Sequence, residues 1–266
     1  MKASLITVTY NSANDLKEFW NSFDGLLAEW IVVDNASTDG SAEIATRLGA
    51  RVIELPENVG FSAANNRGVE AANTDVLIFV NPDVRVTRPG LDDLVELLSL
   101  RGGLLAPQLV NADGSLQENG RAMPYPHRKL AHMFLPNGKI SKGYSRFAKP
   151  GETVAVPWVM GAALAMNRKD FEAIGGWNDL YFIYYEDADI CLRSWKHGIE
   201  VNLAGSVNWV HGWARETARS FSWRIWKFEI VSAVKFYLTH PSSVLPLGKF
   251  SRQMKAIEQS QAGVLT

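Results

Sequence analysis

The first third of the chain alternates between two hydrophobic patterns. "SLITVTY" (4–10), "WIVVD" (30–34), "RVIEL" (51–55) and "DVLIFV" (75–80) are short apolar runs rich in β-branched residues, the pattern of strands buried on both faces of a parallel sheet. Between them, "ANDLKEFWNSFDGLL", "SAEIATRLGA" and "SAANNRGVEAAN" are helical in composition and opened by Ser, Asn or Asp, residues that cap helix starts. This alternation predicts a βαβ succession with the strands in one parallel sheet and helices on both faces. Further along, Glu186 and Asp187 open a helical pattern that runs to Lys196 and His197 and stops at Gly198. "VNWV" (207–210) is another strand ahead of His211. In 220–238, Trp223, Trp226, Ile230, Val234 and Tyr237 fall along one helical stripe.

In a parallel sheet, ligands bind beyond the carboxyl ends of the strands. Tyr10 and Asn11 follow the first strand, Asp34 and Asn35 the second, "ENVGFSAANNRG" the third, and Asn81 with Asp83 the fourth. Each pair alone is ordinary turn chemistry, but four strands delivering polar groups to one edge predict a binding site there. A phosphate-binding G-x-x-x-x-G-K-[ST] loop is absent, and no G-x-G-x-x-G follows the first strand, which argues against P-loop phosphotransfer and dinucleotide redox chemistry.

Composition adds three constraints. At 266 residues the chain is long enough for a full core. Its single cysteine, Cys191, excludes an internal disulfide and reads as a core residue. The opening "MKASLITVTYNS" has too short an apolar run for a signal peptide, and no run of about 18 apolar residues occurs, so the expectation is a cytoplasmic protein. The net charge of −1 conceals segregation: residues 1–120 carry 8 basic and 17 acidic side chains, 121–149 carry 7 basic and none acidic, and 214–257 carry 8 and 2. The segment 121–149, with its Pro and Gly, reads as a mobile basic loop.

"ITVTYNS", "IVVDNASTDGS", "NVGFSAANNRG", "FVNPDV", "VMGAALAMNR" and "YFIYYEDADICLRSWKHG" together resemble glycosyltransferase family 2, in particular its bacterial rhamnosyltransferase-like members, over residues 6 to 211. The resemblance implies a GT-A fold, an α/β architecture with a mostly parallel central sheet flanked by helices. It divides the chain into a catalytic domain at 1–213, with a nucleotide-sugar half at 1–120 and an acceptor half at 121–213, and a C-terminal helical extension at 214–266. It implies an inverting transfer of a sugar from a dTDP- or UDP-sugar to a hydroxyl of a glycan or lipid-linked glycan, with Mg²⁺ or Mn²⁺. The first guess for the sugar is rhamnose.

The resemblance also assigns roles. Asp34 accepts a hydrogen bond from a pyrimidine ring N–H, and Thr9, Tyr10, Asn11, Asn58, Gly60, Asn65, Arg67 and Asn81 line the donor site. Asp83 holds the cation, with His211 on the cation or the diphosphate. Family members usually have Asp-x-Asp where this chain has Asn81-Pro82-Asp83; the amide adds no charge, so weaker metal binding is expected. Trp158 and Gly161 floor the acceptor site. Asp187 is the general base, its pKa raised by the aromatic "YFIYY", and Glu186 and Asp189 orient the acceptor or the helix. Acids in a first helical turn also favour the macrodipole without any catalytic role. A nucleotidyltransferase is the alternative enzyme, although "TVTYNSAND" lacks the basic Gly-rich loop that one needs. A non-catalytic nucleotide-sugar binder is the alternative without chemistry, and nucleic-acid binding has no motif behind it. For the two basic stretches the options are an anionic inner membrane surface or, for the apolar stripe, docking on the catalytic domain or on a second subunit in a homodimer.

Overall fold

A computed structural model describes residues 3–23, 28–134, 143–212, 223–245 and 247–260. The predicted strands are β1 (Ala3–Thr9), β2 (Ala28–Asp34), β3 (Arg51–Glu54) and β4 (Val76–Val80). The helices between them are α1 (Ala13–Phe19), α2 (Ser41–Arg47) and α3 (Phe61–Ala71). α1 and α2 stop short of the stretches that composition suggests. In register, β1 pairs parallel with β2 and β4, and β2 with β3, so that Thr9 stands opposite Asp34.

The chain continues through β5 (Val84–Arg85), α4 (Arg88–Arg101), β6 (Leu104–Val110), β7 (Gly120–Arg121), α5 (Pro126–Phe134), β8 (Ser145–Arg146), β9 (Thr153–Ala155) and β10 (Trp158–Val159). It ends with β11 (Ala163–Asn167), α6 (Arg168–Ala173), α7 (Glu186–Lys196), β12 (Val201–His211), α8 (Trp223–Thr239) and α9 (Gly248–Ser260). Among the described residues the main sheet has the order β3-β2-β1-β4-β11-β6-β12-β5, with β9 on β12, and β10-β7-β8 form a second, small sheet. β11 runs antiparallel between β4 and β6, while β6 and β12 are parallel. The carboxyl ends of β1, β2, β3, β4, β6 and β12 therefore share one edge, and β11 begins there.

Successive residues of each buried strand point to opposite faces, and each face has its own core. Ile6, Ile31, Val33, Leu77 and Phe79 pack on one side with α7; Leu5, Val32, Ile78 and Val80 pack on the other with α1, α2 and α4. Cys191 is buried in the first of these cores, as expected. Phe236 of α8 and Met254 of α9 join the same core, so these helices pack into the catalytic body.

The segment 121–149 does not read as a loop in its described parts. It supplies β7, α5 and β8, and two of its charges are compensated from outside the segment: Arg121 pairs with Glu118 at 2.8 Å and Arg128 with the distant Glu258 at 2.8 Å. Lys139 and Lys142 lie outside the described residues. In α8 the buried face is Ser232, Phe236 and partly Tyr237, while Ile230, Val231, Val234 and Leu238 are exposed. Of the expected stripe, Ile230 and Val234 thus look outward while Trp226 and Tyr237 are half-buried; the side chain of Trp223 lies outside those described.

Candidate functional site

The strand ends assemble a rigid pocket edge. Asp34 is buried, and each of its oxygens is already held: Thr9 Oγ1 donates to Oδ1 at 2.8 Å and the Ser37 N–H to Oδ2 at 2.9 Å. A carboxylate oxygen has room for a second donor, so Asp34 remains able to accept one from a ligand. Asn11 takes a left-handed conformation, φ 55°, and its side-chain oxygen accepts the Thr38 N–H at 2.9 Å. Tyr10 is 51% exposed beside it. Asn35, which the sequence reading left without a role, ties the next loop to the edge. It donates to Asn58 Oδ1 at 2.9 Å and accepts the Val59 N–H at 2.9 Å. Gly60 has φ 88°, and a Cβ there would lie 2.6 Å from the Phe182 carbonyl oxygen. Its loop is thereby pressed against the segment that leads into α7, a contact closed by Phe61 N–H donating to the Phe182 carbonyl at 2.7 Å.

Two sequence assignments move away from this edge. Arg67 forms an exposed pair with Glu70 three residues on, at 3.0 Å, because the two share a helix face. Asn65 is buried and donates back to the Phe61 carbonyl at 3.0 Å, an α3-internal bond in place of a donor contact.

The turn Asn81-Pro82-Asp83 leaves β4, and antiparallel pairing of β12 with β5 sets His211 opposite Val84. His211 Nε2 lies 3.3 Å from Asp83 Oδ2. The other ring nitrogen is engaged by Gln117, whose Oε1 is 2.7 Å from His211 Nδ1 while its Nε2 donates to Asn111 Oδ1 and to the His211 carbonyl, both at 2.8 Å. With its amide nitrogen so committed, Gln117 accepts from Nδ1–H. His211 Nε2 then faces a carboxylate oxygen, an arrangement that a cation or a proton between them would satisfy. An oxygen and an imidazole nitrogen fit a divalent cation that completes its shell with diphosphate oxygens and water. Among the described residues no cluster of three or more His, Cys, Asp or Glu ligands exists, so such an ion would rest on these two protein ligands.

The acidic helix start is reached from the same edge. Asn81 N–H donates to the Ala162 carbonyl at 2.8 Å, and the neighbouring Gly161 N–H donates to Asp187 Oδ2 at 3.3 Å. A Cβ on Gly161 would lie 3.3 Å from the Asp187 Cβ, so glycine permits this approach. α7 is entered through Tyr184 and Tyr185, both left-handed at φ 70° and 68°. Bulky residues in that region cost on the order of 1–3 kcal/mol each and persist only where the surroundings hold them. Here α8 holds them: Ser232 Oγ donates to the Ile183 carbonyl and Lys235 Nζ to the Leu180 carbonyl, both at 2.7 Å.

The three acids of α7 have three environments. Asp189, 0% exposed, accepts from Arg193 Nε at 2.7 Å and His240 Nε2 at 2.8 Å. Burial opposes its charge, but these bonds outweigh it and hold the carboxyl below its usual range. Its task is to lock the end of α8 onto α7. Glu186 is 8% exposed and its Oε2 has no hydrogen-bond partner among the described residues; burial first, and then repulsion from Asp187, push it up to about 8. Asp187 is also raised by burial, opposed by Lys129, by the backbone N–H groups of Ala188 and Gly161, and by Arg121. Lys129 of α5 sits with Nζ 4.5 Å from the centre of the Tyr185 ring and 5.9 Å from that of Trp158. Trp158 itself is buried, its Nε1 donating to the Ala122 carbonyl at 2.8 Å; it walls the site from beneath and has no open face for stacking on a sugar.

The sequence profile described as Glycosyl transferase family 2 matches residues 4–175, and that described as N-terminal domain of galactosyltransferase matches 142–211. The chain is similar to the N-acetylglucosaminyl-diphospho-decaprenol L-rhamnosyltransferase of Mycobacterium tuberculosis, 29% identical over 238 residues, 81% of this chain and 77% of the relative. Its fold matches the solved structure of S. aureus TarS 1–349 with UDP-GlcNAc at TM-score 0.60 and 17% identity, covering 98% of this chain and 71% of the other. It matches GalNAc-T7 with UDP, GalNAc and Mn²⁺ at TM-score 0.61 and 17% identity, covering 98% of this chain and 54% of that one. The GT-A architecture is thus shared.

Proposed function

The chain belongs to glycosyl transferase family 2, and on that footing we propose that this glycosyltransferase acts with inversion, moving a sugar, rhamnose by first choice, from a pyrimidine nucleoside diphosphate to a lipid-linked glycan hydroxyl. The observation that carries the reading is the turn at Gly161 and Ala162, which is hydrogen-bonded both to Asn81 at the cation turn and to Asp187 at the start of α7. A carboxylate whose pKa is raised above its usual range stands within one turn of the proposed diphosphate site.

In this mechanism Asp34 accepts the ring N–H of uracil or thymine, with Thr9, Asn11 and Tyr10 along the base. Asp83 and His211 hold Mg²⁺ or Mn²⁺, which when bound neutralises the leaving diphosphate. Asp187 takes the proton of the acceptor hydroxyl as its oxygen bonds to the anomeric carbon from the face opposite the diphosphate. The bond to the diphosphate oxygen breaks, and its electron pair leaves with the nucleotide. One base suffices, and Glu186, protonated below about pH 8, is not a second nucleophile. The acceptor class follows the M. tuberculosis relative, whose name specifies an N-acetylglucosaminyl-diphospho lipid.

Such an acceptor favours work at the inner membrane surface. No described helix is long and apolar enough to cross a membrane. The outward face of α8 has Val234 55% exposed and Leu238 78% exposed, with Leu245 and Leu247 exposed just beyond, a surface suited to lying on lipid. Arg128 and Lys129 are engaged inside the protein and take no part in it.

A donor panel tests the function. With Mn²⁺, dTDP-rhamnose or UDP-sugars should raise the melting temperature and be slowly hydrolysed, and GDP-mannose should do neither. Protection by guanine nucleotides alone would defeat the pyrimidine reading. Stabilisation without turnover of any donor, even with a diphospholipid-linked N-acetylglucosamine present, would favour the binding-module alternative.

A further inference from the structure

Lys129 is placed with care for a residue of an exposed-looking basic segment. α5 is pinned by the C-terminal helices: Arg128 makes two bonds to Glu258, at 2.8 and 2.9 Å, Met123 N–H donates to Glu258 Oε1 at 2.7 Å, and Tyr237 Oη donates to the Pro124 carbonyl at 2.8 Å. From that fixed helix Lys129 reaches back over the Tyr185 ring at 4.5 Å. Tyr185 is the residue from which α7 starts, so the ammonium stands at the helix end that carries Glu186 and Asp187. Among the described residues it is in no direct ion pair; the rings are its nearest recorded partners.

We propose that Lys129 is a positioning residue of the transfer reaction: its ammonium is the counter-charge of the Glu186–Asp187 pair, keeping the shared proton on Glu186 and leaving Asp187 as the ionised base. This rests on the reading of Asp187 as that base. Two adjacent carboxyls, Glu186 buried and Asp187 half-buried, do not both ionise readily, and an asymmetrically placed cation decides which one does. On Asp187, Lys129 is the strongest influence opposing burial, whereas on Glu186 it ranks behind burial, the repulsion of Asp187 and a backbone hydrogen bond. The other charged and titratable groups around the cluster are Arg121 from β7, Glu229 from α8 and Asp189 from α7, with Tyr144 and Tyr237 behind the rings. Arg121 is committed to Glu118 at 2.8 Å, and Glu229 of α8 does more than Asp187 to keep Lys129 charged against the burial that lowers its pKa. Lys129 also completes a link from the C-terminal helices to the chemistry, since Glu258 fixes the helix from which it projects.

The test needs a change that removes charge and keeps shape. Lys129→Met retains an unbranched chain against the two rings, and Lys129→Arg retains the charge. The deciding measurement is the ¹³C-carboxyl titration of Asp187, assigned by its loss in Asp187→Asn, in the full-length protein. The midpoint should rise by about one pH unit in Lys129→Met and stay near wild type in Lys129→Arg. With dTDP-rhamnose and a diphospholipid-linked N-acetylglucosamine, the acid limb of kcat/KM should move to higher pH by the same amount. A midpoint unmoved in a folded Lys129→Met protein overturns the proposal, whatever the rate. Turnover by Asp187→Asn would instead remove Asp187 as base while leaving the titration result standing, so the two failures are told apart.

Discussion

Asp34 and Glu186 are both carboxylates taken out of water, 3% and 8% exposed, yet they are buried in opposite manners. Asp34 is held by two donors from its own edge, the Thr9 hydroxyl and the Ser37 N–H. Glu186 has an oxygen without a hydrogen-bond partner among the described residues and an acidic neighbour, and its proton is favoured up to about pH 8. The donor edge is built of satisfied groups that recognise a ligand without rearranging. The start of α7 combines paired acids with one buried oxygen, Glu186 Oε2, that has no hydrogen-bond partner among the described residues. Strain follows the same division, for Tyr184 and Tyr185 are both left-handed where α7 begins. Rigid recognition and poised chemistry meet at the Gly161–Ala162 turn.

The sharpest way to break this comparison is at the base. Asp187→Asn keeps the shape and the bond from Gly161 N–H but cannot take a proton, so transfer should fall by about 10²- to 10⁴-fold while donor affinity stays within a few-fold. Single-turnover kinetics with calorimetric donor titration separate the two. A matching loss of donor affinity would merge the regions that the comparison separates.

The donor edge predicts the converse, a loss of binding ahead of chemistry. Asp83→Ala should remove the Mn²⁺ enhancement of nucleoside diphosphate binding, and Asn81→Asp should leave it intact or tighten it. Gln117→Leu touches neither ligand nor metal. By freeing the His211 ring, it should nonetheless weaken Mn²⁺-dependent binding by about 10- to 100-fold. Titration with and without Mn²⁺ decides each case; wild-type binding indifferent to metal and to Asp83 alike would end the cation assignment.

The two regions were also unequally legible. The four parallel strands and their polar ends follow from period and turn chemistry, because each strand end is local in sequence. Lys129, Gln117 and His240 were missed because their meaning is carried by partners far along the chain: Gln117 meets His211 across 94 residues, and His240 meets Asp189 across 51. The same distance explains the misread basic segment. With no acid in 121–149, its charges looked solvated, but Arg128 is compensated by Glu258, 130 residues away. Arg67 is the opposite case, since its partner Glu70 stands three residues on in the sequence, a pairing that helix geometry alone predicts.

The smallest expected effect, and the most direct reading of frustration in α7, is in stability. Glu186 is raised from an ordinary carboxyl value to about 8 in the folded protein. Between pH 4.5 and about 8 the folded chain therefore binds more protons than the unfolded one at this position, and stability must fall as pH rises through that window. Glu186→Gln removes the titration while keeping the side chain's size. Below about pH 4.5 variant and wild type should differ little; above about pH 8 the variant should be the more stable. Each kcal/mol gained should appear as roughly 2 to 4 °C in melting temperature. Lys129 opposes burial on Asp187 more than on Glu186, so adding Lys129→Met should lower stability at the alkaline end in wild type and in Glu186→Gln alike. Melting temperatures at pH 5 and pH 8.5 for the four proteins complete the cycle. If wild type and Glu186→Gln lose stability in parallel over that range, Glu186 is not the group that stores the cost, and the contrast with Asp34 loses its energetic basis.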